Sequence, residues 1–174
     1  MVANPATGQE PTDHAAPQWL PQLLKAFVSR SLTSTQDATR VKPEAGRVPG
    51  DWFEGTVMEL CALPWDAPDW SSENPQPLDA AAVAELLLIL LDVLPEHALA
   101  PSITPNWDGG AMATWLLRDL TLEIETRPGQ PAQYCYGDER GQQDFDDERD
   151  VSGNEESLRR WAKTLADAAA ELGL

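Results

Sequence analysis

Histidine, cysteine and basic side chains are all scarce in this chain. Its 174 residues include two histidines and two cysteines, and 12 lysine or arginine residues stand against 29 aspartate or glutamate residues, a net charge of −17. Two cysteines are too few for a disulfide scaffold, and with so few histidines they cannot complete a four-ligand zinc site. The shortage of basic residues argues against direct binding to nucleic acid or to an anionic membrane, since both depend on clustered lysine and arginine.

Long hydrophobic runs are missing too. The longest, residues 86–91, is bounded by Glu85 and Asp92 and is far shorter than the ~20 residues of a membrane-spanning helix. The opening sequence MVANP lacks the basic and apolar regions of a secretion signal. We therefore expect a cytoplasmic protein with reduced thiols.

The chain does contain enough apolar material for a core, because 42% of its residues are hydrophobic and seven are tryptophan. Charge divides it into two parts. Residues 1–50 hold five basic and four acidic residues, which leaves seven basic and 25 acidic residues in 51–174. Residues 1–17 and 34–50 are rich in small residues and proline and lack apolar periodicity, so we predict a flexible arm over 1–50 and a single domain over 51–174.

One amphipathic helix is predicted within the arm, over residues 18–32. Apolar side chains recur there at helical spacing, with basic and polar side chains on the other side. Such a stripe either docks on its own domain or is presented to a partner, and the sequence leaves both alternatives open. The candidate partner-binding residues of this helix are Leu20, Leu23, Leu24 and Phe27.

The remaining sequence predicts an α+β domain. A short helix is expected within residues 51–63. Asp79 and Pro95 are typical boundaries of a helix over 80–94, whose apolar middle predicts burial nearly all round. Alternation and turn residues then predict a meander of three antiparallel strands, and a capping-box spacing starts an amphipathic C-terminal helix over 155–172. The strands are expected at Ala111–Leu117, Leu120–Thr126 and Ala132–Tyr136, with both long helices covering one face.

Two stretches carry a recognisable order of residues. They are Asp69-Trp70-Ser71-Ser72-Glu73-Asn74-Pro75-Gln76-Pro77, and Leu94-Pro95, Pro101-Ser102-Ile103-Thr104-Pro105, Asp108-Gly109-Gly110, Trp115 and Leu122-Glu123-Ile124-Glu125. This order resembles that of a group of uncharacterised small bacterial proteins, over about residues 63–137. The group usually has Asp where Ser71 stands and Gly-Ala where Asn74-Pro75 stands. The resemblance implies the fold of a helix followed by a meander, and implies no activity.

No catalytic or metal-binding residue emerges from the motifs. His97 follows the end of a predicted helix and lacks the strand-turn-helix setting of an activated serine. The acidic stretch after Gly141 places carboxylates at positions one, three, five and twelve of a calcium loop, but Arg149 stands at position six, where the sharp turn requires glycine. We therefore expect neither a metal ion nor another cofactor.

The acidic balance favours a noncatalytic protein that engages a basic partner protein, of the antitoxin, immunity or inhibitor type. The candidate contact residues in the domain are Asp144, Asp146, Asp147, Asp150, Trp65 and Trp70. Two alternatives stay open. One is an enzyme with a carboxylate site, with or without a metal ion, and the other is a structural subunit of a larger complex that docks through residues 18–32. A concave pocket with converging carboxylates would favour the enzyme, and a broad flat acidic face would favour the binding protein.

Overall fold

The architecture was obtained from a computed structural model, which describes residues 50–63, 65, 76–139 and 148–174. Three helices and five strands occur in these ranges. The helices are α1 (Trp52–Ala62), α2 (Ala80–Val93) and α3 (Glu155–Glu171), and the strands are β1 (Ser102–Pro105), β2 (Ala111–Leu117), β3 (Leu120–Thr126), β4 (Gln133–Asp138) and β5 (Arg149–Asp150). The helix predicted over 18–32 lies outside the described residues.

The five strands form one antiparallel meander in the order β1-β2-β3-β4-β5. The predicted α+β class is confirmed, and the three predicted strands correspond to β2, β3 and β4. The sheet is wider than predicted because a short strand pairs at each edge. A four-residue strand bounded by Pro101 and Pro105, and a two-residue strand made of Arg149 and Asp150, show no apolar alternation that the sequence could reveal.

One face of the sheet packs against α2 and α3. Cross-strand register aligns Ile103, Ala113, Ile124 and Tyr134 in one row, and all four are buried. These residues share a single apolar cluster with side chains of α2 and α3, and both helices contact β2 and β3. The predicted covering of one sheet face by the two long helices is therefore observed.

Helix α2 begins as predicted and is buried on one side. Asp79 caps it, since its Oδ1 accepts hydrogen bonds from the backbone N–H groups of the second and third helical residues at 2.9 and 2.8 Å. Leu86 and Leu90 are fully buried, whereas Leu88 and Leu91 are only partly buried. The prediction of burial nearly all round is therefore confirmed only in part: no residue of the helix is exposed, but the side turned away from the sheet is only partly buried.

Helix α3 is amphipathic as predicted but starts differently. Its N-cap is Asn154, which makes no side-chain capping bond and instead donates from Nδ2 to the backbone oxygen of Asp150 at 3.0 Å, so the predicted capping box is not formed. Farther along, Trp161 stacks on Tyr136 of β4, with ring centroids 3.8 Å apart. The helix is also tied to α2 by an ion pair of 2.6 Å between Arg159 and Asp92.

Helix α1 lies beside the edge strand β1. The Glu59 carboxylate accepts a hydrogen bond of 2.7 Å from the outward-pointing N–H of Ile103. The indole of Trp52 donates to the backbone oxygen of Pro95 at 3.1 Å, which fixes the start of α1 against the end of α2. The carboxylate satisfies a backbone group that an edge strand would otherwise leave free to pair with another chain. Among the described residues, no helix has the length and apolar character needed to cross a membrane.

Candidate functional site

The side of the sheet opposite α2 and α3 is the candidate functional surface, and we call it the open face. Because side chains alternate along a strand, every second residue of β2, β3 and β4 points to this side. The open face comprises Met112, Thr114 and Leu116 of β2, Thr121, Glu123 and Glu125 of β3, and Gln133 and Cys135 of β4. It combines two carboxylates, one thiol and several uncharged side chains.

At one end of the open face, Glu125 is held in a compensated network. Its two carboxylate oxygens accept hydrogen bonds from Asn106 Nδ2 at 2.6 Å and from Arg127 Nη2 at 2.7 Å. The guanidinium also lies 3.6 Å from Asp108, and the pKa of Arg127 is raised, first by its hydrogen bond to Glu125. Both oxygens of Glu125 therefore already have donors within the fold.

The same network explains the Asp-Gly-Gly sequence in structural terms. Asp108 accepts a hydrogen bond from the Gly110 N–H at 3.1 Å, which closes the turn between β1 and β2. Gly109 has a φ of +88°, and its backbone oxygen accepts a hydrogen bond from Asp79 N–H at 2.8 Å. In this chain the turn thus fixes the start of α2 and orients Arg127, which is a structural role.

Glu123 differs from Glu125 because no described basic side chain compensates it. It lies in the middle of β3, the central strand, with Thr114 and Cys135 as its cross-strand partners. Its one polar contact among the described residues is the thiol of Cys135, whose Sγ lies 3.4 Å from Glu123 Oε2. A partly buried carboxylate with so weak a donor retains acceptor capacity for an external group.

The thiol beside Glu123 is unsuited to nucleophilic chemistry. Burial, followed by the negative charge of Glu123, raises the pKa of Cys135 to about 12. Both causes favour the protonated form, so the thiol stays neutral at physiological pH, whereas a catalytic cysteine needs a lowered pKa.

We expect Cys135 to react with iodoacetamide at pH 8 more than about a hundredfold more slowly than it does in the urea-unfolded chain, because its thiolate fraction falls tenfold for each unit of raised pKa. Alkylation of this residue is measured by peptide mass spectrometry. Glu123→Gln removes the neighbouring charge and should accelerate the reaction by up to about tenfold, whereas Glu156→Gln should leave it unchanged. If Cys135 were alkylated in the folded protein nearly as fast as in the unfolded chain, its thiol would not have a raised pKa.

A largely apolar groove adjoins the open face beyond the first residue of β1. β1 begins at Ser102, opposite Thr114, so residues 115–117 of β2 extend beyond their partner strand. Leu116 lies in this extension and is 78% exposed. The groove has a volume of about 300 Å³ and is lined by Leu99, Ala100, Ser102, Thr114, Trp115, Leu116, Leu117 and Leu165. No carboxylate lines it.

His97 lies beside a carboxylate of α3. The residue is exposed, and its Nε2 lies 3.6 Å from Asp167 of α3, which is also bound by Lys163 at 2.6 Å. The hydrogen bond from Lys163 is the main reason that the pKa of Asp167 is lowered. The described part of the chain contains no group of three or more histidine, cysteine, aspartate or glutamate side chains that could hold a metal ion.

Two of the predicted contact residues in the domain can be located. Asp150 is exposed in β5, opposite Gln133. Trp65 is partly buried against the core, and its indole donates to the backbone oxygen of Leu60 at 2.8 Å. The other predicted contact residues lie outside the described residues, namely Asp144, Asp146, Asp147, Trp70, Leu20, Leu23, Leu24 and Phe27.

Sequence reasoning missed Glu123 and Leu116 as candidate contact residues. Alternation already placed Glu123 on the solvent side of its strand, beside Glu125. The difference between these two carboxylates arises because Arg127, two residues after Glu125, and Asn106, in the turn between β1 and β2, both donate to Glu125. Leu116 could not be singled out from the sequence, because a single apolar residue on the solvent side of a strand is common.

Comparisons with protein-family models, with curated proteins and with solved structures found no match to this chain.

Proposed function

We propose that this protein is a noncatalytic interaction protein that engages a basic partner protein. The observation that carries the proposal is the open face, where a carboxylate that no described basic residue pairs with, Glu123, occupies the centre of a sheet surface beside the exposed side chain of Leu116. A carboxylate in that position suits recognition of a cationic side chain.

The distribution of basic residues strengthens this reading. Three of the described bases are engaged in internal ion pairs, namely Arg127 with Glu125, Arg159 with Asp92 and Lys163 with Asp167. The chain has 29 acidic and 12 basic residues, so most of its carboxylates have no basic residue to pair with. Such a surface accelerates encounter with a basic protein through long-range attraction.

The groove favours a binding role over a carboxylate enzyme. A hydrolytic site built from acids needs two carboxylates converging on one cleft. The groove beside Leu116 is lined by no carboxylate, and most of its side chains are apolar. Within the class of binding proteins we favour an antitoxin, an immunity protein or an inhibitor, because a strongly acidic protein of any of these types complements a target with a basic surface.

The test is the salt dependence of association with the natural partner. The tagged full chain is purified from its native host, the protein that co-purifies is produced separately, and association is followed at 50 and 300 mM NaCl. We expect the association rate to fall several-fold while the dissociation rate changes less, because attraction between exposed charges is screened beyond about 8 to 10 Å at physiological salt. An association rate indifferent to salt, or a partner that is not basic, would contradict the proposal.

A further inference from the structure

Glu123 and Leu116 together define a two-point recognition surface. In the register of the sheet, Glu123 lies directly opposite Thr114, and Leu116 is two residues farther along β2. Such diagonal neighbours on one face of an antiparallel pair are about 7 to 8 Å apart. The surface thus offers a carboxylate and an exposed aliphatic side chain at a spacing close to that of residues i and i+2 of an extended chain, about 6.8 Å.

We propose that the open face binds an extended segment of the basic partner, which places an arginine on Glu123 and an aliphatic side chain against Leu116. This inference rests on the proposed function and identifies its contact surface. Arginine is preferred over lysine because its planar guanidinium can bind both oxygens of one carboxylate. The aliphatic side chain enters the groove beside Leu116, at the edge of β2 that β1 leaves unpaired because β1 begins only at Ser102.

Charge complementarity selects a basic partner over a second copy of this chain. Two copies meeting through their open faces would bring two uncompensated Glu123 side chains together, in chains that each carry a net charge of −17. Like charges placed opposite one another destabilise an interface. A cationic segment meets the opposite condition, since it supplies the hydrogen-bond donors that Glu123 lacks among the described residues.

The test uses a 12-residue probe peptide with arginine and leucine alternating at every second position and threonine between them. Binding to the ¹⁵N-labelled full chain is measured by NMR titration at 50 mM NaCl. We expect the largest amide shifts at Thr114, Leu116, Glu123 and Cys135. A peptide with lysine in place of arginine should bind about fivefold more weakly to the unmodified chain, and one with serine in place of leucine should also lose affinity.

Two substitutions and two matched controls locate the contact. Glu123→Gln should weaken binding of the arginine peptide about tenfold, and Leu116→Ser about fivefold. The controls are Glu156→Gln, at an exposed carboxylate on α3, and Leu174→Ser, at a leucine that is 68% exposed, and neither should change the affinity. The dispersion of each NMR spectrum shows that the variant is folded.

Three outcomes would overturn this inference. They are no binding of the arginine peptide to the unmodified chain, shifts concentrated outside the open face, and Glu123→Gln or Leu116→Ser effects no larger than those of the controls. These outcomes would not by themselves overturn the proposed function. If the natural partner associates in a salt-dependent way while the peptide and the two substitutions give these negative results, the protein is an acidic binding protein that uses another surface.

Discussion

Leu90→Ala is expected to destabilise the protein by about 2 to 5 kcal/mol, because Leu90 is fully buried between α2 and the sheet. The cost combines the lost transfer of the side chain from water with the cavity that the surrounding residues fill only in part. In a chain of this size it corresponds to a fall in melting temperature of roughly 10 °C. Urea unfolding followed by circular dichroism measures the difference in unfolding free energy.

The matched control is Leu88→Ala in the same helix. Leu88 is partly exposed and lies outside the buried cluster, so its truncation should cost about 1 kcal/mol or less. Both substitutions remove the same atoms and place alanine in the same helix. Any difference between their unfolding free energies therefore measures how tightly each leucine is packed. Equal losses of stability for Leu90→Ala and Leu88→Ala would show that the side of α2 carrying Leu90 does not face the sheet.

Gly110→Ala should cost about 3 kcal/mol or more. A Cβ atom at this position would lie 2.0 Å from the backbone oxygen of Thr126, and a strand backbone cannot move aside as a flexible side chain can. The expected result is local separation of β2 from the end of β3, with loss of the contact between Asp108 and Arg127. Urea unfolding measures the stability, and hydrogen exchange at Thr126 reports the local opening.

Gly129→Ala provides the comparison for this effect. Gly129 lies in the turn between β3 and β4 with a φ of +71°, and no atom lies within 4 Å of the Cβ position. Its substitution therefore carries only the conformational cost of a left-handed residue, about 1 to 2 kcal/mol. If Gly110→Ala proves as mild as Gly129→Ala, the close approach of the two strands at Thr126 is not as described.

The two carboxylates of β3 point to the same side of the sheet but differ in their surroundings. Alternation in residues 120–126 was enough to predict that Glu123 and Glu125 share the solvent side of a strand. It could not show that both oxygens of Glu125 are paired, because one donor, Asn106, comes from the turn between β1 and β2, 19 residues away in the chain, although the other, Arg127, is only two residues away. Which carboxylate is available to a partner is therefore a tertiary property.

The sequence by itself determined the elements whose signals are local. The Asp79 cap and Pro95 bound α2, and the period of two fixed β2 and β3 at their observed limits, since both signals arise from backbone sterics and from side-chain direction along a single segment. The acidic character of the chain was likewise set by composition alone.

Only the tertiary structure decided which surfaces remain available. The edge strands β1 and β5 form because neighbouring strands offer them hydrogen bonds, and their own residues carry no strand pattern. Packing of α2 against the sheet separated the fully buried Leu86 and Leu90 from the partly exposed Leu88, although all three belong to one apolar run. Because β1 begins only at Ser102, residues 115–117 of β2 have no partner on that edge, and Leu116 stays exposed near Glu123; the length of a strand pairing depends on contacts that no single segment encodes.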